Sequence, residues 1–181
     1  MLIRHDQQQE YNKINVSCVE RTIYLFDDIC AGTVCEVIKY IDSLEKESKK
    51  TIELMINSMG GECYAGIALY DRMMKCSAEI CTIGIGCVMS MAYLVFLAGN
   101  HRYLFKNCIL MNHQISNYQA GRLEDLKIEV EECKRIEKQC LTIISERTGQ
   151  TIKSLEKQIS KGNDYITPDR AIKEGIAHKI I

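Results

Sequence analysis

The sequence has little of several residue types that would assign it to other classes of protein. Its 181 residues include no tryptophan and a single proline, Pro168, and no Ser/Gly-rich tract marks a linker. The length fits one domain with a sizeable core. The 23 Lys and Arg residues are balanced by 24 Asp and Glu residues, giving a net charge of −1. No basic excess is therefore present to bind nucleic acid or an anionic membrane.

The chain also lacks the signatures of export and of membrane insertion. Its first residues, MLIRHDQQQEYNK, are polar and contain no apolar core of a signal peptide. The longest apolar stretch, residues 80–98, is long enough to span a membrane, but Gly84, Gly86 and Ser90 interrupt it. A buried strand followed by a buried helix explains this stretch better. We expect a cytoplasmic protein that makes no membrane contact.

Cysteine is abundant, yet it does not follow a metal or disulfide pattern. The ten cysteines include no CxxC pair and are scattered along apolar segments. Without an export signal, we expect reduced thiols that pack as small apolar side chains. This spacing does not suggest zinc, and we predict no metal site.

The apolar patterns of the chain predict an α/β fold. Runs such as TIELMI, residues 51–56, are typical of strands buried on both faces, and apolar spacings of three and four residues indicate helices. The predicted strands are 21–26, 51–56, 79–84, 102–105, 109–111 and 176–181, and the predicted helices are 33–47, 63–76, 89–97, 123–147, 151–159 and 168–174. Their alternation predicts a mainly parallel sheet.

Three polar segments follow predicted strands, where functional groups of such sheets collect. Gly60 and Gly61 end one segment and let backbone approach a ligand. Ser90 lies at the start of the predicted helix 89–97, which puts its hydroxyl and the N–H of Met91 near a helix N-terminus. His113 follows the next strand and can serve as a base near neutral pH. From the residues alone, catalytic and structural roles for these groups both stay open.

Five ordered motifs carry a resemblance to a known family. They are INSMGGECYAGIALYDRM (56–73), GCVMSMA (86–92), MNHQ (111–114), ERTGQ (146–150) and YITPDRAIKEGIAHKI (165–180). Together they resemble the ClpP peptidase family, the proteolytic subunit of the ATP-dependent Clp protease. The resemblance implies a ClpP/crotonase-like fold of repeated βαβ units with a long handle helix. It implies a single peptidase domain over 21–181 with a handle at 114–148, after an N-terminal axial segment over 1–20.

The resemblance also implies roles for individual residues. Ser90 would be the nucleophile of a serine endopeptidase, and His113 would be its general base. The N–H groups of Gly61 and Met91 would form the oxyanion hole. No cofactor is expected in this chain, because a partner unfoldase would use the ATP.

The sequence departs from the family pattern where the third catalytic residue is expected. Aligning Tyr165 with the family's aromatic residue puts Asn163 in place of the acid, and Asp164 follows it. We favour Asn163 as the occupant, with Asp164 as the alternative; both could also form a plain polar turn after Gly162. The family's ring-linking Asp-Arg pair maps to Lys161 and Gly162. Met59 replaces a proline, and we expect its side chain to face the substrate groove.

Three functions follow from this pattern. The first is a Clp-type serine endopeptidase that cleaves unfolded polypeptides or peptides inside paired heptameric rings, a tetradecamer, fed by an AAA+ unfoldase in protein quality control. The second is a weakly active or inactive subunit of a mixed ring with another ClpP, since Asn163 replaces the acid. The third, more remote, is a crotonase-type acyl-CoA enzyme. The expected partners are copies of the chain, the unfoldase and peptide substrate.

Overall fold

The computed structural model describes residues 16–17 and 21–181. The predicted N-terminal axial segment, residues 1–20, thus lies outside the described residues apart from one two-residue strand. The strands are β1 (Val16–Ser17), β2 (Thr22–Leu25), β3 (Ile52–Ser58), β4 (Ile80–Met89), β5 (His101–Leu104), β6 (Ile109–Asn112), β7 (Asp164–Ile166) and β8 (Lys179–Ile180). The helices are α1 (Ala31–Glu47), α2 (Cys63–Met74), α3 (Met91–Leu97), α4 (Leu123–Thr148), α5 (Ile152–Ile159) and α6 (Pro168–Lys173).

The strands form one mixed sheet in the order β1-β2-β3-β4-β5-β8, with β6 paired to β4 and β7 paired to β6. The inner pairs are parallel, as predicted, whereas β1–β2 and β6–β7 are antiparallel. Right-handed βαβ crossovers of this kind need helices on the sheet faces. The apolar runs of β2, β3 and β4 are accordingly buried among α1, α2 and α3.

Strand β4 divides the sheet into two branches. Its first half pairs with β5, from Cys81 opposite His101 to Gly84 opposite Leu104. Its second half pairs with β6, from Cys87 opposite Ile109 to Met89 opposite Met111. The change of neighbour occurs around Gly86, whose φ of 67° favours glycine. As a result, the carboxyl ends of β4 and β6 lie side by side.

The long apolar stretch at 80–98 is the centre of the core. It comprises β4 and α3, and all seven residues of α3 are buried. No helix in the described residues is long and apolar enough to cross a membrane. The prediction of a strand over 79–84 was too short, and the helix predicted from residue 89 begins at Met91, because ladder pairing with β6 holds Val88 and Met89 in β4.

The predicted handle consists of an extended segment followed by the longest helix. Residues 113–122 form no strand ladder within the described part of the chain. Helix α4 then runs for 26 residues and ends at Gly149, which adopts the left-handed conformation common after helices. Its buried residues, Ile136, Leu141 and Ile144, all lie in its second half. The first half of α4 therefore projects away from the core.

Two arginines join the end of α4 to the β5–β8 edge of the sheet. Arg102 is 5% exposed and donates to the carbonyl oxygens of Ile176 at 2.7 Å and Gly175 at 3.0 Å. Arg147 donates to the carbonyls of Leu97 and Gly99, both at 2.8 Å. Burial lowers the pKa of Arg102 to about 10, with the Arg147 charge adding to this effect. The two cations thus satisfy carbonyl groups left over where helices end.

Strand β7 is an element that the sequence pattern did not reveal. The polar turn considered for Asn163 and Asp164 is wrong for Asp164, which belongs to β7, while Asn163 immediately precedes the strand. The strand is three residues long and, among the described residues, pairs only with β6. Such a short, half-polar segment carries too few alternating apolar positions to be distinguished from a loop.

Candidate active site

Ser90 lies at the sharp junction between β4 and α3. Its backbone has φ 53° and ψ −124°, which is uncommon for a residue with a side chain. Its N–H donates to the carbonyl of Met111 at 2.8 Å, which fixes the junction to β6. Strain of this kind persists only where the surroundings impose it, and it turns the Ser90 hydroxyl out of the sheet.

Gly60 lies directly against this junction. A Cβ atom on Gly60 would lie 2.7 Å from the Ser90 Cβ and 2.9 Å from the Met91 nitrogen. The backbone of Gly60 also has a φ of 100°. No other residue fits here without moving Ser90, so the sequence motif containing Gly60 and Gly61 sets the position of the serine.

His113 reaches the Ser90 hydroxyl from the end of β6. The distance from His113 Nε2 to Ser90 Oγ is 2.8 Å, which is within hydrogen-bond reach of a base and its nucleophile. The backbone N–H of His113 donates to Asn112 Oδ1 at 3.1 Å. The two residues are 23 positions apart in sequence, and the side-by-side ends of β4 and β6 bring them together.

A small pocket of about 80 Å³ opens beside this pair. Its lining includes Ser90, His113, Gly61 and Met91. Within the described residues, the N–H groups of Gly61 and Met91 donate no hydrogen bond. Gly61 has a φ of 148°, and a Cβ there would lie 2.2 Å from the Ile29 carbonyl oxygen.

The β6–β7 register separates Asn163 from Asp164. Asp164 lies opposite Asn112, and continuing the register by one residue sets Asn163 opposite His113. Directly opposed residues share a face, and successive residues alternate. If the alternation continues past the last ladder pair, Asn163 is on the His113 face of the sheet, and Asp164 is on the other.

The two side chains also differ in their partners. Both carboxylate oxygens of Asp164 bind Arg170, at 2.5 and 2.8 Å, and Arg170 also binds Glu174 at 2.7 Å. The hydrogen bond to Asp164, followed by that to Glu174, raises the pKa of Arg170. Asn163 is exposed and its Nδ2 lies 3.5 Å from the Tyr165 hydroxyl. Among the described residues, neither Asn163 nor Asp164 hydrogen-bonds to His113.

Other residues singled out in the sequence lie at the edge of this site or away from it. Met59 is 61% exposed, and its sulfur lies 3.7 Å from the Cys87 sulfur rather than in the pocket lining. Lys161 and Gly162 are exposed in the turn before β7. No group of three or more His, Cys, Asp or Glu side chains within the described parts of the chain could hold a metal ion.

Among the pocket residues that sequence reasoning missed are Cys63 and Cys140. Both were interpreted only as packing thiols. Cys63 lies two residues after Gly61, which is a signal for proximity to Ser90. Cys140 is 27 residues beyond His113 and carries no local signal. The folding of α4 back over α3 brings it to the pocket.

Comparison with known proteins gives the chain a family. The sequence matches the family model described as Clp protease over residues 5–181. The chain belongs to the Clp protease family. This Clp protease is 32% identical over 168 residues to an ATP-dependent Clp protease proteolytic subunit from Porphyromonas gingivalis, covering 90% of this chain and 74% of the relative.

The fold of this Clp protease also matches a solved structure. It superposes on an asparagine-to-aspartate mutant of ClpP1 from Listeria monocytogenes with a TM-score of 0.83 and 26% identity, covering 90% of this chain and 92% of the other. The predicted ClpP/crotonase-like fold is confirmed. The protein is a Clp-type serine endopeptidase, and these similarities do not favour the crotonase-type enzyme or the purely structural subunit.

Proposed function

We propose that Ser90 is the nucleophile of this Clp protease and that His113 is its general base. The observation that carries the proposal is the 2.8 Å distance between His113 Nε2 and Ser90 Oγ at the mouth of a pocket. His113 accepts the hydroxyl proton as Ser90 Oγ attacks the peptide carbonyl carbon. The imidazolium then returns the proton to the leaving amine, and water repeats the sequence on the acyl-enzyme.

The N–H groups of Gly61 and Met91 form the oxyanion hole in this proposal. Both groups lack an acceptor within the described residues and line the same pocket as Ser90. The negative charge that develops on the carbonyl oxygen supplies that acceptor. Pre-oriented donors of this kind favour the transition state because they need no reorganisation during the reaction.

Asn163 orients His113 in this scheme, in place of the usual acid. Its side-chain carbonyl can accept from Nδ1–H of His113 and hold the productive tautomer, but it carries no charge to stabilise the imidazolium. The register supports Asn163 over Asp164, since Asp164 is on the other face and is bound by Arg170. A lower rate than that of an Asp-containing site follows from the missing charge. The Listeria relative was solved as an asparagine-to-aspartate mutant, which is the reverse change.

The assembled form in this proposal is a pair of rings of identical chains. The extended segment 113–122 and the first half of α4 expose large apolar side chains, including Tyr118 at 95%, Leu123 at 68% and Ile128 at 67%. Surfaces of this kind suit contact with other copies. A partner AAA+ unfoldase would deliver unfolded polypeptide and hydrolyse the ATP, and another ClpP could share a mixed ring.

Labelling with a fluorophosphonate tests the assignment of the nucleophile. We expect one adduct per chain, on Ser90, and none in a Ser90→Ala variant. Hydrolysis of short fluorogenic peptides should fall by at least about 10³-fold in Ser90→Ala, the scale of losses when a triad nucleophile is removed.

A Ser154→Ala variant is the matched control, because Ser154 is exposed on α5 and should label as the wild type does. Native mass of the same samples tests the rings. Hydrolysis that survives in Ser90→Ala would contradict the proposed nucleophile, and a monomer in all active fractions would contradict the ring assembly.

A further inference from the structure

Two cysteine side chains form part of the wall of the pocket that contains Ser90. Cys63 is the first residue of α2, and Cys140 lies in the second half of α4. Both line the pocket with Ser90 and His113. Each is partly buried and is a free thiol. Two helices that are distant in sequence therefore each contribute a cysteine to the pocket of the proposed nucleophile.

The environment keeps both thiols neutral near pH 7. Burial raises the pKa of Cys63, and the nearby Cys133 sulfur adds to this effect. Burial raises the pKa of Cys140 to about 12, with smaller contributions from Cys63 and Glu137. Neutral thiols form an apolar wall that suits an apolar substrate side chain. They also react more slowly with thiol-exchanging reagents than an ordinary cysteine does, because the thiolate is the nucleophile and less of it is present.

We propose that Cys63 and Cys140 form a modification site for small, uncharged thiol-exchanging compounds, which block substrate binding by forming a mixed disulfide in the pocket. The inference rests on the proposed function, because it takes the pocket beside Ser90 to be the substrate site. Its ligand class is the low-molecular-weight disulfides and alkyl thiosulfonates. These compounds are small and apolar enough to enter through the pocket mouth.

The chemistry is a thiol exchange. A cysteine loses its proton to solvent, and its sulfur attacks one sulfur of the reagent. The bond within the reagent breaks, a new S–S bond forms, and the released thiolate or sulfinate carries away the electron pair. The protein sulfur is oxidised and the departing group is reduced. A dithiol reductant reverses the reaction.

The adduct blocks the site because the pocket is small. A volume of about 80 Å³ leaves no room for both a substituent on sulfur and a substrate side chain. The wall residues Ile144 and Leu94 are packed into the core and do not give way without cost. The proposed base and nucleophile keep their own contact, so the loss is in substrate binding rather than in the chemistry of Ser90.

Methyl methanethiosulfonate is a suitable probe for this site. We expect treatment of the assembled protein to lower peptide hydrolysis at least tenfold, with full recovery in dithiothreitol. Peptide mapping should find the methylthio group on Cys63, Cys140 or both, in proportion to the lost activity. A saturating apolar peptide on the Ser90→Ala variant should protect these two cysteines from the reagent. The inactivation rate should rise up to about tenfold per pH unit between pH 7 and 8.5, as the thiolate fraction grows.

Each variant is compared with its own untreated sample. Cys63→Ala with Cys140→Ala should keep its own activity through the treatment, whatever its starting rate. Cys35→Ser is the matched control, because Cys35 is an exposed thiol on α1, and this variant should be inhibited as the wild type is. Equal inhibition of the double variant would overturn the inference. Complete modification of both cysteines with undiminished hydrolysis would overturn it as well.

Fluorophosphonate labelling before and after treatment separates the two proposals. If untreated protein does not label at Ser90, the proposed function has failed. If untreated protein labels and hydrolyses peptide, while the methylthio adduct at both cysteines changes neither KM nor kcat, only the modification site has failed. A rise in KM for apolar peptides at partial modification is the signature that the inference requires.

Discussion

The Ser90–His113 side of the site and the Asn163 side are built on different kinds of strand. Ser90 follows β4, a ten-residue strand in the centre of the sheet, and His113 follows β6, which pairs with β4 in parallel. Asn163 precedes β7, a three-residue antiparallel strand that pairs with β6 and with no other strand of the described residues. The first side is fixed by the core, and the second is an exposed attachment to it.

The difference predicts how each side tolerates substitution. A change near Ser90 disturbs the close contacts of Gly60 and the buried residues of α3. Asn163 is exposed, so the replacement of an acid that we propose there has no effect on packing. The exposed side can therefore change the rate without changing the fold.

Of the substitutions predicted here, Gly60→Ala on the Ser90–His113 side should have the largest effect on peptide hydrolysis. The added Cβ would lie 2.7 Å from both the Met89 carbonyl oxygen and the Ser90 Cβ, and backbone must move to admit it. Displacing a nucleophile by about 1 Å costs on the order of 10²-fold in rate, and we expect at least that loss of peptide hydrolysis. The measurement is kcat/KM on a fluorogenic peptide.

Gly32→Ala is the control for this variant. A Cβ at Gly32, on α1, would meet only the Cys30 sulfur at an ordinary 3.8 Å, so the substitution should leave kcat/KM unchanged. Wild-type activity in Gly60→Ala would mean that the Ser90 junction is more tolerant than its contacts indicate.

Asn163→Asp tests the exposed side of the site by placing a negative charge there. A carboxylate opposite His113 would stabilise the imidazolium formed during catalysis, and we expect peptide hydrolysis to rise about tenfold or more, within the roughly 10⁴-fold that an acid contributes in a complete triad. The measurement is kcat at fixed pH for the wild type and the variant.

Asn107→Asp is the charge-matched control, because Asn107 is an exposed residue in the turn after β5. It should leave kcat unchanged. An unchanged rate in Asn163→Asp, together with loss of activity in Asp164→Asn, would assign the role to Asp164 instead.

Arg170→Met should have the smallest effect of the three, a loss of stability where β7 is held to the fold. The substitution removes the hydrogen bonds from Arg170 to Asp164 and Glu174. The Arg170 side chain is 31% exposed and the Asp164 side chain is 15% exposed. We expect unfolding to become easier by about 1–2 kcal/mol, since hydrogen bonds to charged groups contribute on this scale, and Tm to fall by roughly 3–6 °C. Thermal unfolding followed by circular dichroism measures the change.

Lys127→Gln is the comparison for this effect. Lys127 pairs with Glu124 on the exposed part of α4, and loss of such a pair should change stability by less than about 0.5 kcal/mol. If the two variants have the same Tm, then Arg170 does not hold β7.

The sequence predicted the fold best where burial determines it. The apolar runs of β3 and β4 and the spacing in α1 and α4 gave element positions close to those observed, because these segments pack on one core. The boundary between β4 and α3 was misplaced, since a continuous apolar run has no period from which to locate the turn. Only the pairing of β4 with β6 determines that boundary.

Of the site, the local motifs were readable and the long-range contacts were not. Ser90, His113 and Gly61 each lie in a motif, and the structure brings the three into one pocket. Cys140 reaches that pocket through the packing of α4, and Arg170 reaches Asp164 through the fold of α6. No pattern in the sequence predicts these contacts, because they depend on how distant elements pack against one another.

Because β7 and β8 come late in the chain, they are synthesised after the segments that contain Ser90 and His113. The sheet from β3 to β6, with Ser90 and His113, is synthesised by residue 113, whereas the strand facing His113 follows some fifty residues later in chain order. The carbonyls of Gly175 and Ile176, which bind Arg102, come later still. A nascent chain thus carries its proposed nucleophile and base before Asn163, the proposed orienting residue, and β7 have been made.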